Sequence, residues 1–201
     1  MTLNVNNCLT HIKPALIIIP DISGFTKYMS EADLPHSQEK IAALLEAILD
    51  SNLLDLKVSE VEGDAILFYD FENASSLHDV LLQCYAMRNN FLKTLSDFKA
   101  SDCHCGSCSS LQLLKLKFIV HYGMLGSVMV KEHCKLFGKD LIIAHRLLKA
   151  NVSTGEHLLV TEAFLTRYAS SNGHFDSANW IASTVQIDDI GLIKFSYATF
   201  N

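Results

Sequence analysis

Leu16-Ile17-Ile18-Ile19-Pro20-Asp21-Ile22-Ser23-Gly24-Phe25-Thr26 is the stretch on which the fold turns. A short, continuous apolar run between Pro14 and Pro20 reads as a buried central strand over Ala15 to Ile19, and such a strand holds the carboxylate at its lip in a fixed place. A second segment, Glu62-Gly63-Asp64-Ala65, leads into the apolar run Ile66-Leu67-Phe68-Tyr69. If the two strands are neighbours, Asp21 and Asp64 form a hard oxygen site suited to magnesium or manganese with a nucleotide. Gly63 beside the carboxylate lets phosphate or metal approach the backbone. The plainer alternative is a strand-end aspartate at 21 and a turn aspartate at 64.

Working outward, Ile41, Leu44, Leu45 and Ile48 recur at helical spacing and predict a helix over 36–50. Alternation at Leu54, Leu56 and Val58, followed by the Gly63-Asp64 turn, predicts a hairpin. A second helix is expected over 76–98, with Val80, Cys84, Met87, Phe91 and Phe98 on one stripe. Segments 114–120 and 127–130, flanking Gly123 and Gly126, read as another hairpin. A helix over 139–150, a strand over 157–160, a short helix over 161–170 and an edge hairpin near the C-terminus complete the series. The expected fold is α+β, a ferredoxin-like βαββαβ core with C-terminal αβ additions. It reads as one domain over 1–201, with its core at about 15–170, an inserted cysteine loop at about 101–110 and edge strands at about 178–200.

At 201 residues and 49% apolar composition the chain can bury a large core and keep apolar surface for a partner. A net charge of −6 without a basic block argues against a nucleic-acid partner. No apolar run approaches the roughly 20 residues of a membrane span. Met1 to Pro14 lacks the pattern of a signal peptide, so the expected location is cytoplasmic, away from membranes.

Four segments together carry a resemblance to the class III adenylate and guanylate cyclase catalytic domains. Pro20 to Thr26 resembles the family's Asp-Ile-x-Gly-Phe-Thr opening, and Glu60 to Ala65 its second metal motif. Ile119-Val120-His121-Tyr122-Gly123 resembles a Gly-Ile-His-x-Gly strand end. Phe137 to Leu147 resembles the Gly-x-x-Val-Asn-x-Ala-x-Arg helix. The segments stand in the family's order and span roughly Ile17 to Thr161.

The resemblance implies that Asp21 and Asp64, with the Ile22 carbonyl, hold Mg2+ or Mn2+. It places Phe25, Thr26 and Gly63 beside the nucleotide and gives Arg146 the catalytic, phosphate-facing role. It also implies a homodimer whose site takes carboxylates from one chain and Arg146 from the other. The chain departs from the pattern at Ile142, which replaces the helix asparagine and cannot hydrogen-bond a nucleotide. His157 aligns with the family's lysine on the following strand, and a neutral imidazole clamps phosphate poorly. The purine-reading positions are Glu60 and Lys135, whose opposite charges are suited to pairing with each other. His121 reads as an architectural, partly buried histidine, and Met87, Met124 and Met129 as packing residues.

Cys103, Cys105 and Cys108 bring three thiols within reach of one loop and suit zinc, with His104, His133 or Cys134 as candidates for a fourth ligand. Free or redox-active thiols, or incidental cysteines, are the alternatives; Cys8 and Cys84 read as packing residues. The function expected is a cyclase-like domain binding a divalent metal and a purine nucleoside triphosphate, with weak or no turnover. Alternatives are an active adenylate or guanylate cyclase and a catalytically dead structural dimer with a zinc staple.

Overall fold

The computed structural model describes residues 11–31, 34–71, 75–99, 110–150, 152, 155–168 and 179–200, with residues 34–36 described as backbone only. β1 (Lys13–Ser23) is central, and every residue from Ala15 to Pro20 is buried. Burial on both faces explains why the run is continuously apolar rather than alternating. On one side β1 pairs antiparallel with β3 (Ala65–Asp70), whose outer neighbour is β2 (Lys57–Glu62). On the other side it pairs antiparallel with β4 (Lys115–Val130). Helices α1 (Phe25–Glu31) and α2 (Leu34–Leu49) join β1 to β2, and α3 (Leu77–Lys99) lies between β3 and β4. Reciprocal bonds open α3: Ser76 Oγ accepts from the Asp79 N–H at 3.2 Å, and Asp79 Oδ2 accepts from the Ser76 N–H at 2.8 Å.

The strand order β2-β3-β1-β4 is that of the expected βαββαβ core. β5 (His133–Phe137) pairs with β4, and α4 (Lys139–Leu147) follows it. β6 (Leu158–Thr161) lies parallel to β4, and α5 (Glu162–Tyr168) follows. β7 (Ile181–Ile187) and β8 (Gly191–Ala198) complete the sheet in the order β6-β8-β7.

Period-two alternation divides the core. Leu16, Ile18, Phe68, Phe118 and Val120 meet α2 and α3 through Leu44, Ile48, Met87 and Phe91. Ile17, Ile19, Leu67, Ile119 and Leu159 meet Ile143, Ala144 and Leu147 of α4. Counting on from Ile17 and Ile19, Asp21 shares the α4 face. The β1–β3 ladder runs through Ile18↔Phe68 and resumes at Asp21↔Ala65, lapsing around Pro20, which has no N–H to give.

Two expectations are corrected. Residues 114–130 are not a hairpin: Gly123 and Gly126 lie inside one sixteen-residue strand, and the hairpin partner is β5. A Cβ at Gly123 would collide with the carboxyl of Asp140, so this glycine serves a close approach from α4 rather than a turn. The C-terminal hairpin is not wholly at an edge, because β8 is flanked by β6 and β7. Among the described residues no helix is long and apolar enough to cross a membrane.

Candidate functional site

Asp21 occupies the lip of β1, its Cα paired with Ala65 on β3 and with Lys117 on β4. Asp64 stands in the turn before β3. Gly63 adopts φ +61°, the left-handed conformation a tight turn demands of it. The Ile22 N–H donates to the Asp64 carbonyl at 3.0 Å and ties that turn to β1. Burial, and then the negative charge of Asp21, hold the Asp64 carboxyl above its ordinary range. The two carboxylates therefore feel each other across neighbouring strands.

A cation already sits on Asp21. Lys117 Nζ lies 2.9 Å from Asp21 Oδ2 and donates to the Leu148 carbonyl at 3.0 Å, at the C-terminal end of α4. An open cavity of about 510 Å3 extends from this pair, walled by Ile142, His145, Arg146 and Lys149 among others. Sequence reading missed Lys117, His145 and Lys149. The available signal was the alternation Lys117, Ile119, His121, which places all three on the α4 face once β4 is aligned against β1.

The remaining predicted residues are distributed as follows. Phe25 opens α1 and packs against the core, while Thr26 beside it is exposed. Arg146 is exposed on the cavity wall, and Ile142, one turn earlier, is 52% exposed. His157 is buried at 4% exposure, its ring edge-on to Tyr197, and its carbonyl accepts from the Phe118 N–H at 2.9 Å. Because Phe118 pairs with Leu158, His157 is the lateral neighbour of Lys117. The basic position of that row that reaches the cavity thus falls on β4, and the buried one just before β6. Glu60 and Lys135 do pair, at 2.7 Å, and the Glu60 carboxylate raises the Lys135 pKa.

Cys103, Cys105 and Cys108 lie outside the described residues, as do His104 and Cys8. Cys134 is buried on β5 and disulfide-bonded, so its sulfur is not a free thiolate available to a metal. Cys84 is fully buried, and burial pushes its thiol far up, as suits a packing residue.

His121 anchors a second polar cluster, four residues beyond Lys117 on β4. Its Nε2 lies 3.2 Å from Asp140 Oδ1, and its Nδ1 lies 2.9 Å from Thr161 Oγ1. Asp140 Oδ2 accepts from the Met124 N–H at 2.7 Å. The hydrogen bond from His121 is the main reason the Asp140 pKa is lowered; the carboxylate then only accepts, so Nε2 carries the proton. Thr161 Oγ1 also accepts from the Phe164 N–H at 3.2 Å, capping α5. This cluster fixes α4 and α5 to the sheet, in keeping with an architectural His121.

Among the described residues no group of three or more His, Cys, Asp or Glu side chains is placed to hold a metal. The donors Asp21, Asp64 and a backbone carbonyl are all hard oxygens. They fit a magnesium-like cation whose remaining positions are filled by phosphate or water.

The fold is that of the nucleotide cyclase catalytic domains. The adenylyl cyclase CyaB from P. aeruginosa superposes with a TM-score of 0.71 at 14% identity, over 95% of this chain and 96% of that one. The guanylyl cyclase Cya2 gives 0.66 at 16% identity, over 94% and 93%. The guanylate cyclase domain of RhGC from Catenaria anguillulae, solved in complex with GTP, gives 0.62 at 14% identity, over 94% and 98%. At these identities the likeness is one of fold. In sequence, the chain is 32% identical over 126 residues to the "Uncharacterized protein Rv2561/Rv2562" of Mycobacterium tuberculosis, covering 61% of this chain and 57% of that protein's length. The model of one family matches residues 41–157, more than half the chain, from the middle of α2 to the residue before β6, so the protein belongs to the family described as "Protein of unknown function (DUF2652)".

Proposed function

We propose that this chain is a cyclase-like domain that binds a divalent cation together with a purine nucleoside triphosphate, and that its turnover is weak or absent. One observation carries the reading. Asp21 lines a cavity with the basic residues Lys117, His145, Arg146 and Lys149 and the apolar Leu141, Ile142 and Leu148, and the Asp64 carboxyl lies near enough to feel the charge of Asp21. That arrangement suits a metal-bound polyphosphate, the carboxylates taking the metal and the basic wall the phosphate oxygens. Bound there, Mg2+ or Mn2+ would neutralise triphosphate charge.

The weak-turnover part of the reading rests on three side chains. Ile142 offers an exposed hydrocarbon where the cyclase motif has an asparagine. His157 is packed in the core and does not reach the cavity as a clamp. Glu60 and Lys135 satisfy each other rather than a purine edge. The reading includes a homodimer, supported by the exposed apolar side chains Val128, Met129, Val130 and Phe137 on the β4–β5 arm. The cysteine loop plays no part in it.

The test is binding of ATP and GTP with and without Mn2+, in wild type and Asp21→Ala. The manganese-dependent component is expected to fall by at least about tenfold, the scale of one lost charge-assisted contact. Binding indifferent to Asp21, or to manganese, removes the proposal. Retention of Asp21, Asp64 and Arg146 favours the second reading, an active cyclase, and formation of a cyclic nucleotide from either triphosphate would establish it.

A further inference from the structure

Lys117 is the residue of this site whose position has the largest consequence. Its Cα faces that of Asp21 across β1 and β4, and its ammonium takes the Asp21 oxygen that an incoming cation needs, at 2.9 Å. Its second partner is the Leu148 carbonyl, 3.0 Å away. Leu148 caps α4, where helical carbonyls lack intrahelical donors and the negative end of the helix dipole favours a cation. The paired side chains are 19% and 13% exposed, so solvent and salt screen them less than a surface pair.

We propose that Lys117 is a resident cation of the site. It neutralises Asp21 when no ligand is bound and releases it only to a polyphosphate, so that a divalent cation enters as the metal–triphosphate complex and not ahead of it. This rests on the metal and nucleotide reading above and adds the order of binding. A free divalent cation approaching Asp21 meets a carboxylate whose charge is already compensated, with an ammonium beside it. The protein also offers it few oxygens, so that water alone must fill most of its coordination shell and nothing else anchors it. A triphosphate removes both obstacles. It brings oxygen ligands for the metal and an anionic acceptor for Lys117, whose flexible stem can swing from carboxylate to phosphate. Every charge then remains paired through the exchange. Metal and polyphosphate thereby raise each other's affinity by the same factor.

The experiment titrates the full chain first with Mn2+ alone, followed by electron paramagnetic resonance of the free ion. The preformed Mn2+ complex of inorganic tripolyphosphate is then titrated by calorimetry. Wild type is expected to bind the complex at least about tenfold more tightly than free Mn2+. Tighter binding of free Mn2+ overturns the proposal without recourse to any variant. Lys117→Met, with Lys117→Gln as a polar second variant, is expected to tighten free Mn2+ by about tenfold and to weaken the complex by a similar factor. Lys117→Arg keeps the charge and should keep the wild-type order. If free Mn2+ binds Lys117→Met no better than wild type while the complex still binds through Asp21, the resident-cation proposal fails and the proposed function stands. If the complex shows no Asp21-dependent binding in any form of the protein, both fail.

Discussion

Helix α4 touches the sheet through two polar clusters of opposite character. At its N-terminal end Asp140 meets His121, Thr161 and the Met124 amide, with His121 3% exposed and each named polar group matched to a partner. At its C-terminal end the Leu148 carbonyl shares Lys117 with Asp21 at the edge of an open cavity. Both clusters draw on β4, from residues four apart on one face. The first joins neutral and charged partners of fixed geometry. The second joins a flexible ammonium to a carboxylate whose neighbour, Asp64, is itself held partly against ionisation. A polar cluster built to hold still differs from one built to exchange partners in enclosure and in side-chain reach, not in composition.

The largest expected effect tests the enclosed cluster. Asp140→Ala leaves the buried His121 Nε2 without its acceptor and should lower stability by about 2–3 kcal/mol in urea melts. If the loss is negligible, His121 is not held by this cluster. Next in size is Gly123→Ala, which places a methyl where the Asp140 carboxyl lies. It should cost about 1–3 kcal/mol and be partly non-additive with Asp140→Ala, which removes the colliding carboxyl but leaves the residue 140 Cβ 2.5 Å from the new methyl.

The two ends should also answer pH with opposite sign. The lowered Asp140 pKa means that its contribution is present above its ordinary value of 3.8 and is lost as pH falls through the lower folded value. The raised Asp64 pKa means that its folded-state advantage exists below 3.8 and is lost as pH rises through the higher folded value. Asp64→Asn should accordingly stabilise the ligand-free protein near neutral pH, by less than about 1 kcal/mol once solvent screening is counted, with the gain vanishing in acid. A destabilised Asp64→Asn at neutral pH would break the comparison. The smallest effect belongs to Lys135→Met at the exposed Glu60 pair, below about 0.5 kcal/mol and fading with added salt.

Much of the core was legible because its signals are local. Four apolar residues in a row announced a strand buried on both faces, and the Gly63-Asp64 step announced the turn that carries the second carboxylate. The opposite charges of Glu60 and Lys135 foretold their pairing from residue type alone. What escaped was set by register between distant segments. Lys117 reads as an ordinary strand lysine until β4 is laid antiparallel on β1, when it falls opposite Asp21. Gly123 suggested a turn because its true reason, the carboxyl of Asp140, arrives from a helix seventeen positions later. His145 and Lys149 flank Arg146 in sequence, but only the seating of α4 shows that they share its cavity.

The length of β4 has a consequence for how long different parts of one strand stay closed. From Lys115 to Leu125 it is bonded to β1, and over Phe118 to Val120 to β6 as well, whereas from Gly126 to Val130 its partner is β5. Backbone amides along a single strand should therefore exchange with deuterium in two regimes. Those before Leu125 wait for the sheet to come apart, and those after Gly126 wait only for the arm to lift. Deuterium uptake resolved along residues 115–130 would then time the arm separately from the body, with both polar clusters on the slow side of the divide.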